Sequence, residues 1–95
     1  MSVARITTLN LKSKEGADEM VKSYTETAPS KFPEAEQLLQ IRVDDTTIIA
    51  ISLYENNEAM ERATAARTKS LDSNTDLFDS VDKKVGTVEL NHSKL

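Results

Sequence analysis

The stretch that most restricts the fold is TIIAISLY, residues 47–54. Extended, it points Thr47, Ile49, Ile51 and Leu53 to one side and Ile48, Ala50, Ser52 and Tyr54 to the other. Both sides are largely apolar, whereas a strand wetted on one side alternates apolar with polar residues. This strand therefore needs cover on each face. A second run rich in branched residues, LLQIRV (38–43), precedes it, with Asp44 and Asp45 close behind. Aspartate side chains hydrogen-bond nearby backbone in tight turns, so the two runs read as a β-hairpin.

Upstream, VARITTLNLK (3–12) places Val3, Arg5, Thr7, Leu9 and Leu11 on one face, and its threonines and branched residues favour a strand. Ser13 to Gly16 punctuate the chain, and a helix is expected from about Ala17, with Asp18 and Glu19 in its positive first turn. Ala17, Met20, Val21, Tyr24 and Ala28 recur with helical spacing as its apolar face. Pro29 and Pro33 bracket its end, where Phe32 anchors the corner on the core. Beyond the hairpin, Asn56 is the expected N-cap of a second helix running to about Lys69, whose inward face is Ala59, Met60, Ala63 and Ala66. Ser73 or Asn74 is expected to cap a third, short helix with Leu77, Phe78 and Val81 inward, and VGTVELN (85–91) reads as the last strand.

No internal repeat or low-complexity segment interrupts this order, so residues 1–95 are expected to form one domain. The order β-α-β-β-α-(α)-β predicts an α+β, ferredoxin-like fold: a four-stranded antiparallel sheet with helices on one face. The helix-free face is then the second apolar side of residues 47–54. A chain of 95 residues buries only roughly 60–65% of its unfolded surface. Covering that face with a second copy is the expected remedy, which makes the chain a homodimer.

Composition narrows the function by exclusion. The chain has no cysteine and one histidine, so disulfides, thiolate metal sites and a cysteine nucleophile are ruled out, and no metal or cofactor is expected. A net charge of −4 argues against nucleic acid, whose phosphates require a basic face. The absence of aromatic stacking residues in VARITTLNL and IIAISL argues against an RNA-recognition module of the same topology. Neither a signal peptide nor a stretch of ~20 apolar residues is present, so the expectation is a soluble, cytoplasmic protein without membrane partners. Asp72-Ser73-Asn74-Thr75-Asp76 imitates the start of a calcium loop, but Leu77 stands where glycine belongs and Lys83 where glutamate belongs. It reads as a capping turn.

Three stretches carry a family resemblance: Ala4-Arg5-Ile6-Thr7-Thr8, the helix entry from Lys14 to Ala17, and Leu53-Tyr54-Glu55-Asn56-Asn57-Glu58-Ala59-Met60. Together they resemble the dimeric α/β-barrel superfamily, which includes the antibiotic-biosynthesis monooxygenases. The resemblance implies two sheets packed face to face as a barrel and a pocket between helices and sheet. Its catalytic sets do not carry over. The haem-degrading branch's Trp falls near Ala63, its His near Ser73 and its Asn near Thr7 or Thr8, and the chain has no tryptophan.

The ligand-pocket candidates are Arg5, Tyr24, Tyr54, Ala59, Ala63, Ala66 and His92. A strand arginine must reach solvent, a carboxylate or an anionic ligand. The two tyrosines lean toward the space between helices and sheet, either as core or as ligand anchors. The alanines of the second helix either leave room above the sheet or let the helix sit closer. His92 follows the last strand and is the candidate for the pocket rim. Two functions remain open: a dimer that binds an apolar or amphipathic, fatty-acid-like molecule, or a cofactor-independent monooxygenase-like enzyme acting on a quinol or polyketide. The residues do not decide whether the protein is catalytic.

Overall fold

Residues 47–54 form an interior strand, apolar on both sides as their pattern requires. The computed structural model describes residues 2–73 and 75–92, the side chains of 66–75 excepted. The elements are β1 (Val3–Leu11), α1 (Lys14–Lys31), β2 (Ala35–Arg42), β3 (Thr47–Tyr54), α2 (Asn57–Ser73), a single 3₁₀ turn (Thr75–Leu77) and β4 (Phe78–Thr87). The sheet order is β2-β3-β1-β4, every neighbouring pair antiparallel. This is the ferredoxin-like arrangement that the element order predicts.

The hairpin turn is held by Asp44, whose Oδ1 accepts the backbone N–H groups of Thr46 at 2.9 Å and Thr47 at 2.8 Å. The Thr46 backbone bond is the main reason that the Asp44 carboxyl sits below its ordinary range. Arg42 closes the same turn by donating to the Asp44 and Asp45 carbonyls, and its Nη1 reaches Asp18 on α1 at 3.0 Å. At α2, Asn56 caps as expected, its Oδ1 accepting the Ala59 N–H at 2.9 Å.

Several boundaries differ from the sequence reading: β2 begins at Ala35 rather than Leu38, and α2 continues to Ser73 rather than to about Lys69. α1 begins at Lys14, because the Ser13 hydroxyl accepts the Gly16 N–H at 3.0 Å and adds a turn. It also runs through Pro29 to Lys31, since a proline in the last turn forfeits one backbone bond without ending the helix. The larger correction is β4. Residues 78–81 are expected in a short helix and 85–91 in the last strand, yet Phe78 pairs with Leu11 and Val81 with Leu9 in a strand that ends at Thr87, short of the expected Asn91. The whole length of β1 leaves an unpaired edge, and backbone pairing along it outweighs the weak local preference of FDSVDKKVGT. Of the expected helix only the 3₁₀ turn remains, and the proposed Asn74 cap lies outside the described residues.

The face under the helices is not uniformly apolar. Val3, Ala28, Phe32, Tyr54, Ala59 and Ala63 pack at one end, and Leu9, Leu11, Ala17, Met20 and Ile48 at the other. Between these clusters lie the buried polar residues Arg5, Thr7 and Ser52. On the helix-free face, register lines up Ile6, Ile51 and Leu39 in one row and Thr8, Ile49 and Ile41 in the next. Ile6, Leu39 and Ile41 are 39%, 40% and 44% exposed.

Candidate functional site

Alternation along β1 and β3 brings the polar middle of the sheet together. Arg5 pairs with Ser52 and Thr7 with Ala50, so all four side chains face the helices. Gln40 joins them from β2, opposite Ala50. Above this floor, α1 contributes Met20, Tyr24, Thr27 and Lys31, and Phe32 closes one end. A cavity of ≈ 50 Å³ remains between these walls. A more open groove of ≈ 190 Å³, lined by Thr25, Ala28, Pro29 and Leu38, shares Tyr24 and Gln40 with it.

Arg5 dominates the electrostatics of the site. It is 5% exposed, and its Nη1 donates to Thr64 Oγ1 at 3.1 Å while Nη2 donates to the Tyr54 hydroxyl at 3.3 Å. The Thr64 hydroxyl in turn donates a hydrogen bond to the Met60 carbonyl at 3.1 Å. The guanidinium carbon lies 5.7 Å from the centre of the Tyr54 ring, within range of a cation–π attraction. Arg5 Nε is buried and has no partner. The ion pairs among the described residues are Lys14–Asp18, Arg42–Asp18 and Arg62–Glu34, so no carboxylate answers Arg5. Hydroxyls satisfy donors but do not neutralise a buried cation.

No carboxylate lines the cavity among the described residues, and two acids at the surface are engaged by other arginines. Asp18 is held below its ordinary range by hydrogen bonds first from Arg42 and then from Lys14. Glu34 is lowered by its two-pronged bond to Arg62, at 2.6 and 2.7 Å, which raises Arg62 in turn. Both pairs are on the surface and tie α1 to the hairpin and α2 to the α1–β2 corner.

Of the residues singled out from the sequence, Arg5 and Tyr24 line the cavity together. Tyr54 is fully buried beside them and acts on Arg5 rather than on the cavity. Ala59 and Ala63 are buried in the cluster with Val3 and Tyr54, where they let α2 approach the sheet. The Ala66 side chain lies outside the described residues. His92 is exposed in the segment after β4. The lining residues overlooked as site candidates were the polar Thr7, Thr27, Lys31, Gln40 and Ser52 and the apolar Leu9, Met20, Phe32 and Ala50. Strand parity with Arg5 marks Thr7 and strand register marks Ser52, while the helical interval from Met20 through Tyr24 marks Thr27. Among the described residues no group of His, Cys, Asp and Glu suited to a metal occurs. No described helix is long and apolar enough to cross a membrane.

No protein-family model and no curated protein sequence matches this chain. Solved structures do, and they include oxygenases, antibiotic-biosynthesis-monooxygenase-like proteins, a dimeric ferredoxin-like protein and a protein of unknown function from Nitrosomonas europaea. SnoaB, a cofactor-independent oxygenase from Streptomyces nogalater, is similar with a TM-score of 0.70 and 18% identity over 95% of each chain. The ActVA-Orf6 monooxygenase of Streptomyces coelicolor, solved with nanaomycin D, is similar with a TM-score of 0.77 and 12% identity, over 99% of this chain and 93% of its own. A dimeric ferredoxin-like protein from an uncultured marine organism has a TM-score of 0.76 and 12% identity, over 97% of this chain and 93% of its own.

Proposed function

We propose that this protein is a homodimer that binds a small amphipathic molecule in the cavity between α1 and the sheet. The observation that carries this reading is the buried polar floor of Arg5, Thr7 and Ser52, set between two apolar clusters beneath unfilled space. Ligand sites combine apolar walls with a few convergent polar groups in this way. A thermal-shift panel of fatty acids and of dihydroxynaphthalenes, followed by native mass spectrometry, tests the reading. Failure of every compound to raise the melting temperature counts against it.

Dimerisation through the helix-free face is supported by the exposed rows around Ile51. A folded monomer of this mass exposes about 5,400 Å², whereas this chain exposes 6209 Å². The marine relative described as dimeric supports the same assembly, two sheets closing into a barrel.

A second reading, a cofactor-independent monooxygenase acting on a quinol or polyketide, is favoured by the likeness to SnoaB and ActVA-Orf6. It predicts oxygen consumption with a dihydroxynaphthalene and loss of that activity on changing Tyr24. Binding without oxygen uptake supports the first reading instead.

A further inference from the structure

We infer that the cavity recognises a carboxylate, and that its ligand is a monocarboxylic acid with a short apolar chain. The inference rests on the cavity reading above and assigns the chemistry of the head group. Arg5 lines the cavity, is 5% exposed, and spends its two terminal nitrogens on the neutral hydroxyls of Thr64 and Tyr54. Its Nε–H is left buried and unbonded, which proteins rarely tolerate unless a partner arrives. The missing partner is also missing as a charge: no acid lines the cavity among the described residues, and Lys31 adds a second cation at its edge. This occurs in a chain whose net charge is −4, so the positive wall is a local arrangement and not a reflection of composition. Asp18 and Glu34 are held by Arg42 and Arg62 and supply no counter-ion. A guanidinium is the side chain best matched to a carboxylate.

Size sets the rest of the ligand. A volume of ≈ 50 Å³ is room for about four water-sized spheres, enough for a carboxylate and a methylene or two. The tail then leaves past Tyr24 and Gln40 into the groove beside Ala28, Pro29 and Leu38, whose walls are mostly apolar. A dianion lacks a second buried cation, and a bulky head does not fit.

The test uses the full chain with octanoate, methyl octanoate and octanamide, three probes alike in chain and different in head. Octanoate should bind, with the ester and amide about tenfold or more weaker, as expected on losing a charge-assisted hydrogen bond. Arg5→Met should remove this preference. Because that variant changes a buried position, a second measurement is made on the unaltered protein: the carboxyl resonance of 1-¹³C-octanoate, titrated free and bound. Its midpoint should fall by about one pH unit or more in the complex, as for any carboxylate beside a cation. Equal binding of ester and acid, or an unchanged or raised midpoint, overturns the carboxylate assignment and leaves the cavity reading standing. Binding of none of the three, nor of any aromatic probe, overturns both.

Discussion

The guanidinium of Arg5 and the phenol of Tyr54 are joined twice, by a 3.3 Å hydrogen bond to the hydroxyl and by the ring centre 5.7 Å from the guanidinium carbon. Tyr54 ends β3 and Arg5 lies on the neighbouring β1, two residues from the Val3 that Tyr54 pairs with. The contact places a cation in the polar middle of the sheet and gives it no negative partner. Removing either group therefore has distinct consequences.

Arg5→Met is expected to stabilise the ligand-free protein, by about 1–2 kcal/mol, because a flexible apolar side chain replaces a buried cation with an unmet donor. Chemical denaturation measures this. A loss of stability of similar size would mean that the two hydroxyl bonds outweigh the burial of charge.

Tyr54→Phe keeps the ring and deletes the acceptor for Nη2, which is expected to cost about 1–2 kcal/mol. Combined with Thr64→Val, the effects should be non-additive, since both changes strip acceptors from one guanidinium. Additive effects in a double-mutant cycle would show that the two bonds act independently.

Ala63→Phe should destabilise by about 1–3 kcal/mol through overpacking, because Ala63 is 7% exposed against Tyr54 and Val3. Ligand binding in the folded fraction should persist, as Ala63 is not part of the cavity wall. Thermal melts and the octanoate titration separate the two effects.

Ile51→Asp puts a charge at the centre of the row formed by Ile6, Ile51 and Leu39. The expected dimer interface exceeds about 1,200 Å² in total, and a charge at its centre should yield a monomer by light scattering. A monomer before the substitution, or a dimer that persists after it, would place the interface elsewhere.

Acidification should weaken the fold through Asp18, Glu34 and Asp44, all lowered in the folded state. Such groups bind fewer protons folded than unfolded. Their contribution is present above the ordinary values of 3.8 for aspartate and 4.5 for glutamate, and is lost as pH falls through the lower folded values. All three are exposed, so the effect is modest. Asp44→Asn keeps an acceptor for the turn and should flatten the acid limb of melting temperature against pH. An unchanged limb would exclude the turn as a source.

The amino-acid sequence alone determined which residues share a face. Period-two patterning in VARITTLNL grouped Arg5 with Thr7 and set Ile6 opposite them, patterning in TIIAISLY grouped Ser52 with Tyr54 and Ile49 with Ile51, and local chemistry identified the Asp44 turn and the Asn56 cap. These properties depend on neighbours a few residues away. Tertiary structure decided the two things that do not. FDSVDKKVGT has little preference of its own and became β4 only because β1 offered an unpaired edge along Val3–Leu11. The cavity lies beneath α1 rather than over the small residues of α2, since Ala59 and Ala63 allow α2 to close on Tyr54. Met20, Tyr24 and Phe32 bridge from α1 to a sheet whose middle is polar. No local pattern encodes that gap, because it is the difference between two packings and belongs to neither segment.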